Sequence, residues 1–418
     1  MLLSRKSTIQ LNDDEANIVG HMNYAAYKLW NVCNYERNHY KELGLEKYPD
    51  WYYQKANHKN DMWFKAQPSQ TAQEVCKLLD KSWKSFYRLK KTGGIENPNP
   101  PKYKHDGIAV TYMQNGIVHE PGTETVRLTL SRQLKEHMRT AYDVHVNYLY
   151  LKNSIFKSMD RIKQIRLYPP EADGKCKVIV VYEVADAEML PDNGHYLSID
   201  LGLHNLMTCY DSDGRSFIVG RKYLSICRRY DKELARVQSQ WASIQAARRI
   251  RYPKTSRHLQ KLYEKKKNTV RDYLHKMTRY IVEYCRERNI HTVVAGDITG
   301  IRKGNNLGKQ INQKLHGLPY AQIYIMLEYK LSQYGIRFEK QSEAYTSQCS
   351  PLSENVSKEY AVKTNRSRRG LYKDGKLIFQ ADAVGAYNIL RKYNAVSGNN
   401  KKLSVSGLSD PKVIKVAV

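Results

Sequence analysis

From Tyr196 onward the chain follows an order of elements that few folds can accommodate. Tyr196-Leu-Ser-Ile-Asp-Leu-Gly-Leu opens with an apolar strand, and Asp211-Ser-Asp-Gly214 is a hairpin turn. There follow a long basic helical segment, a strand at 292 to 295, a helix, a strand at 335 to 343 and a last helix. Three antiparallel strands followed by alternating helices and strands is the order of an RNase H-like α/β domain. At 418 residues the chain has room for two or three domains, so this one has company.

The first half reads differently. Residues 1 to 11 hold a short strand (Ser7 to Leu11), and Asp13, Asp14 and Glu15 begin a helix with Ile18, Met22, Ala25 and Leu29 on one face. A second helix follows Pro68-Ser69, where Thr71 and Glu74 have capping-box spacing. It carries Val75, Leu78, Leu79, Trp83 and Phe86 on one side and Lys77, Lys81, Lys84 and Arg88 on the other. Such a face suits a phosphate backbone, although a solvated basic face has the same pattern. Gly93-Gly94 and Pro98-Asn-Pro-Pro101 end the helical stretch. The alternating runs at 108–112, 125–130, 162–167 and 178–182 then predict a β-rich region reaching to about 193.

A formal charge of +28 directs attention to polyanions. Residues 221 to 286 hold 19 Lys and Arg against 5 Asp and Glu, so half of the excess lies there, with Arg248, Arg249, Arg251, Lys265, Lys266 and Arg271 as candidate phosphate contacts. Tyrosine outnumbers phenylalanine 33 to 6, which suits base stacking as well as core packing. The seven cysteines never form a CxxC pair, the pattern of reduced thiols in the cytoplasm, and no apolar run has the length of a membrane span.

Asp200 lies in the apolar strand, where a carboxylate needs a partner or a metal. Gly202, two residues on, permits a close approach by backbone or substrate. Asp297 ends the next strand and Asp382 opens the last helix. Singly, each has an ordinary explanation: Asp382 as a helix N-cap, Asp297 as a loop-entry residue, Asp200 as a paired core charge. As a trio on two strand ends and a helix start, they match two-metal phosphodiester hydrolysis with two Mg²⁺ ions.

These residues resemble the TnpB family of transposon-encoded RNA-guided nucleases and the related compact type V CRISPR effectors. Ser198-Ile-Asp-Leu-Gly is similar to the first RuvC motif, Arg271-Asp-Tyr-Leu-His-Lys to the helix before the second, and Asp382 to Asn388 to the third. Ala344-Tyr-Thr-Ser-Gln-Cys349 is similar to the start of the zinc-binding insertion, and Pro68-Ser-Gln-Thr-Ala-Gln-Glu-Val and Lys81-Ser-Trp-Lys-Ser-Phe to the recognition helices. The resemblance implies a RuvC-like nuclease domain with an N-terminal wedge β-barrel and a helical recognition insertion. The implied division is a wedge strand at 1–11, a recognition domain at 12–95, the wedge barrel at 96–193, the nuclease at 194–343 and 381–394, the insertion at 344–380 and a flexible tail at 395–418. The implied partners are a guide RNA and double-stranded DNA bearing a short target-adjacent motif, with no membrane and with a monomer sufficing.

Two departures from the family pattern matter. The Glu that usually precedes the second-motif Asp is Gly296 here, leaving Asp297, or Glu343 one strand over with its longer side chain, to complete the site. Failing both, the chain would be an RNA-guided binding protein that represses without cutting. A nuclease acting without a guide is a third reading, one that leaves the basic first half unexplained. Of the insertion's usual cysteines only Cys349 remains, so zinc is not expected; 344–380 reads as a metal-free loop or hairpin in which Arg366, Arg368 and Arg369 are available to a phosphate backbone or form a flexible basic loop.

Overall fold

The computed structural model describes all residues except 94, 252–254, 300–316, 367, 369, 400 and 418. The chain divides into two units, Met1–Ala185 and Asp186–Val418.

In the first unit, β1 (Leu2–Gln10) pairs antiparallel with β7 (Lys175–Glu183) along its whole length. The chain's first strand is thereby tied to residues far along the sequence. With β6 (Arg161–Leu167) and β2 (Val110–Met113) they form a sheet in the order β1-β7-β6-β2, while β3 (Ile117–His119), β4 (Thr125–Thr129) and β5 (Tyr148–Lys152) form a second. Alternation puts Val110, Tyr112, Val126, Leu128, Ile165, Val178 and Val180 inward. They share one apolar core with α1 (Asp13–Asn38) and α4 (Ser69–Thr92).

Asn12 and Glu15 cap α1 reciprocally, Asn12 Oδ1 accepting from the Glu15 N–H at 2.8 Å and Glu15 Oε2 from the Asn12 N–H at 3.0 Å. The box expected from Thr71 and Glu74 does not form. Helix α4 starts three residues earlier with Pro68 at its N-cap, so Thr71 is already inside the helix and buried. The short helices α2 (Trp51–Asn57) and α3 (Met62–Lys65) lie between α1 and α4, and Gln54 of α2 accepts from Arg37 Nε at 3.0 Å. Arg37 also pairs with Asp80 at 3.0 Å, locking α1 to α4. A further helix, α5 (Arg132–Tyr142), separates β4 from β5.

The second unit is built on one sheet, in the order β12-β11-β8-β9-β10-β15. Strands β8 (Tyr196–Asp200), β11 (Thr292–Asp297) and β12 (Arg337–Ser342) are parallel, while β9 (Met207–Asp211) and β10 (Ser216–Val219) continue from β8 as an antiparallel meander. The antiparallel meander followed by alternating helices and strands is the order of elements that the sequence pattern called for. Leu197, Ile199, Val293 and Ala295 face α6 (Tyr223–Ala247), α7 (Arg257–Glu287) and α8 (Tyr320–Ser332). The alternate residues Tyr196 and Val294 face α9 (Ala381–Ser397).

The C-terminal segment is not the loose tail expected of 395–418. Strand β15 (Lys412–Ile414) lies parallel to β10, Leu408 is fully buried, and the Tyr210 hydroxyl donates to the Ser404 carbonyl at 2.6 Å. The physical reason is that β10 would otherwise be an edge strand with unpaired backbone groups. Three residues of an otherwise polar segment suffice to cover it.

Candidate active site

The parallel strands β8, β11 and β12 all end at one edge of the sheet, and alternation there decides which acids can meet. Gly296 pairs with Gln341 and Asp297 with Ser342, while Ala295 pairs with Ile199. One step further along, Gly296 is level with Asp200. Glu343 lies two residues past Gln341 and therefore takes the face of Gly296 and Asp200, the face covered by α9. Asp297 points to the opposite face.

The missing side chain at 296 makes room for Glu343. A Cβ there would lie 1.9 Å from Glu343 Oε1 and 2.6 Å from its Cγ and Cδ. Gly385 does the same service for α9, since a Cβ at that position would stand 3.0 Å from Asp200 Oδ2. Asp382 is in the first turn of α9 but does not cap it; Gln380 does, accepting from the Ala383 N–H. The Asp382 carboxylate is thus free to face a cavity of about 600 Å³, whose lining includes Asp200, Asn205, Arg221, Glu343 and Arg366.

Burial raises the Asp200 carboxyl well above its ordinary range, and the charges of Glu343 and Asp382 push the same way, against Arg366. Burial, then Asp297, brings Glu343 up to about 7. Its Oε1 is buried and, among the described residues, meets no hydrogen-bond donor. Asp297 behaves oppositely: it is exposed, accepts from the Thr299 N–H at 2.9 Å and is lowered chiefly by that residue.

Among the described residues no three acidic, His or Cys side chains form a ready-made metal cage. Asp200, Glu343 and Asp382 nevertheless fit Mg²⁺: they are hard oxygen donors, mutually repelling and partly desolvated, and one has an orphaned oxygen. A cation already stands beside them, Arg366 Nη2 lying 3.3 Å from Asp382 Oδ1.

The candidate phosphate contacts fall into two groups. Lys81, Arg88, Arg248, Arg249, Arg251, Lys265, Arg271 and Arg368 are exposed. Lys77 pairs with Glu74 at 2.7 Å, Lys84 with Asp80 at 2.8 Å, and Lys266 with Asp231, so part of that charge is already compensated. Arg369 lies outside the described residues.

The 344–380 insertion ends in a hairpin of β13 (Leu371–Asp374) and β14 (Leu377–Gln380). Side chains of α9 hold its backbone. Asn388 donates to the Thr346 and Cys349 carbonyls at 2.8 Å, and Arg391 donates to the carbonyls of Ser350, Ser353 and Glu354. Sequence reasoning missed these contacts, as it missed Asn205 and Arg221. Their partners are distant in the chain, and the only local signal was a polar residue in an apolar helix or loop.

A family model described as "Probable transposase" matches residues 179–302, and one described as "Cas12f1-like, TNB domain" matches residues 320–389. The chain is 23% identical over 368 residues to "Putative RNA-guided DNA endonuclease InsQ" of Escherichia coli (strain K12), covering 85% of this chain and 82% of that protein. It is 22% identical over 206 residues to "TnpB-like protein MJ0751" of Methanocaldococcus jannaschii, covering 47% and 69%. In fold it is similar to the protein in a cryo-EM structure of a Cas12f1-sgRNA-target DNA complex, with a TM-score of 0.60 and 14% identity over 90% of this chain and 83% of that one.

Proposed function

Because the chain belongs with the TnpB proteins and the compact type V effectors, we propose that it is an RNA-guided, Mg²⁺-dependent endonuclease that cuts double-stranded DNA with a single RuvC-like site. The observation that carries this reading is the convergence of Asp200, Glu343 and Asp382 on one cavity, with Glu343 in the space that Gly296 leaves open. The printed name of the Escherichia coli relative and the contents of the Cas12f1 complex support guide RNA and target DNA as partners.

Asp200, Glu343 and Asp382 would hold two Mg²⁺ ions, with Asp297 beside Glu343 on the far face. When bound, the ions supply an activated water and stabilise the leaving 3′ oxygen. The chain's own residues do the rest. Arg366 presents positive charge to a scissile phosphate in the cavity, and the basic outer faces of α4, α6 and α7 hold nucleic-acid backbones without reading sequence. Pairing with the guide would supply sequence choice. Residues 1–11 and 96–193 would form the wedge and 12–95 the recognition domain that meets the target-adjacent motif. The polar contacts from α9 would stand in for zinc in the insertion. The protein would work as a monomer inside the bacterial cell.

The test is to purify the protein from cells carrying its native locus, sequence the RNA that comes with it, and offer the complex a plasmid library containing the matching target. Cleavage requiring Mg²⁺, an RNA match and a flanking motif is expected, with loss in Asp200→Ala and Asp382→Ala. Tight RNA-dependent binding without cleavage would replace this reading with that of a repressor, for which the Gly296 departure is the motive.

A further inference from the structure

We propose that Asn205 and Arg221 are positioning residues that fix which oxygen of Asp382 is offered to a divalent cation; the inference rests on the metal-dependent nuclease reading above. The two oxygens of Asp382 have different surroundings. Oδ2 accepts from Asn205 Nδ2 at 2.8 Å, with Gln380 Nε2 at 3.4 Å, while Oδ1 faces the Arg366 guanidinium at 3.3 Å.

An amide side chain can turn over, and with its oxygen toward a carboxylate it would repel rather than hold it. Arg221 removes that choice. Its Nε lies 3.1 Å from Asn205 Oδ1, and because an Arg N–H only donates, the amide oxygen faces Arg221 and the NH₂ faces Asp382. Cation, amide and carboxylate form a chain in which each bond polarises the next in the same direction.

The backbone holds this chain in place. Asn205 is only 8% exposed, and its carbonyl oxygen lies 2.7 Å from where a Cβ on Gly202 would stand. The loop after Asp200 therefore folds back on itself at a glycine, and that fold delivers Asn205 to Asp382. Of the two approaches that Gly202 permits, by backbone or by substrate, this one is made by backbone.

Asp382 Oδ2 is thus committed to a neutral, buried partner. Oδ1 is covered by the end of a long side chain, Arg366, whose surface is 41% exposed and which can move away. Oδ1 is accordingly the oxygen presented to the cavity, and Arg366 is the charge that a divalent ion would displace.

The experiment uses the full chain with its guide RNA. Asn205→Ala, Arg221→Ala and the double variant are compared with wild type for direct Mn²⁺ binding, read by electron paramagnetic resonance, and for the Mg²⁺ concentration giving half-maximal cleavage. Loss of an outer-shell partner costs roughly 10- to 100-fold in metal affinity, and Asn205→Ala is expected to shift both midpoints by about that much. Arg221→Ala should move them the same way by less and add nothing in the Asn205→Ala background, because it acts through Asn205.

A merely structural role would lower thermal stability or the cleavage plateau and leave the midpoints in place. Unchanged midpoints in Asn205→Ala and Arg221→Ala, or an additive double variant, overturn the proposal. If Asn205→Ala fails to retain RNA, the exposed Arg221 carries the test alone. Failure of wild type itself to bind Mn²⁺ and cleave would sink the nuclease reading; wild-type activity matched by the variants would sink only this one.

Discussion

Replacing Gly296 by Ala adds one methyl group at the point where the structure has least room for it. The new Cβ would lie 1.9 Å from Glu343 Oε1 and 2.6 Å from its Cγ and Cδ. Ordinary carbon contacts are about 3.5–4.0 Å, so the carboxyl group must retreat by roughly 1.5–2 Å. All three atoms belong to the outer part of a flexible side chain, so the fold can yield cheaply. A strained rotamer costs about 0.5–1.5 kcal/mol, and removing a glycine from a strand returns part of it through the unfolded chain. In a domain of this size that is a melting shift of at most about 4 °C.

Activity should respond quite differently, because a misplacement of about 1 Å at a reacting centre can cost on the order of 10²-fold. Gly296→Ala should therefore keep its fold and its RNA and lose about 100-fold in cleavage rate. The exchange Gly296→Glu with Glu343→Ala returns a carboxylate to the same space from the other strand and should recover activity that neither single variant has. The assays are plasmid cleavage under single-turnover conditions and thermal unfolding of the same preparations. Wild-type cleavage by Gly296→Ala, or an exchange no better than Glu343→Ala, would refute the argument that Glu343 occupies the vacated position.

Other consequences can be checked with simpler measurements. With its carboxyl raised from 4.5 to about 7, Glu343 holds a proton in the folded chain over a range where the unfolded chain has lost it. Its contribution to stability is therefore complete below about pH 4.5 and lost as pH rises to and through 7, and melting in EDTA should fall between about pH 5 and 7 more steeply in wild type than in Glu343→Gln. A slope equal in both would exclude it, and about 3 kcal/mol is the upper bound on the effect. Arg391→Ala strips a donor from the carbonyls of Ser350, Ser353 and Glu354 and should cost about 1–3 kcal/mol, seen as faster amide exchange through 344–362. Zinc chelators should leave that exchange unchanged. Truncation before Lys412 exposes the edge of β10 and should lower the melting temperature and promote association on sizing columns; a truncated chain as stable and monodisperse as wild type would show that β15 is dispensable.

Much of this was legible in the sequence because it depends on short-range periodicity. The short apolar runs at 196–200 and 292–297 specify buried strands, and the three- and four-residue spacing within Leu259, Leu262 and within Leu274, Met277 and Ile281 specifies the buried stripe of α7. Asp200 was conspicuous for the same reason, as a carboxylate in an apolar strand. The order of elements then sufficed to arrange the central sheet.

What remained open depended on register and on contacts between distant segments. Sequence favoured Glu343 over Asp297 by side-chain length alone, because nothing local says which side of β11 faces α9. Only the pairing of Gly296 with Gln341 decides it, placing Glu343 over the glycine and Asp297 on the reverse. The same limit hid Arg221 and Asn205 behind Asp382, the grip of Asn388 and Arg391 on the insertion, and the strand at 412–414, whose few apolar residues acquire a place only because β10 offers it an unpaired edge. Periodicity is a property of neighbours along the chain; the site is a property of residues that the fold makes neighbours.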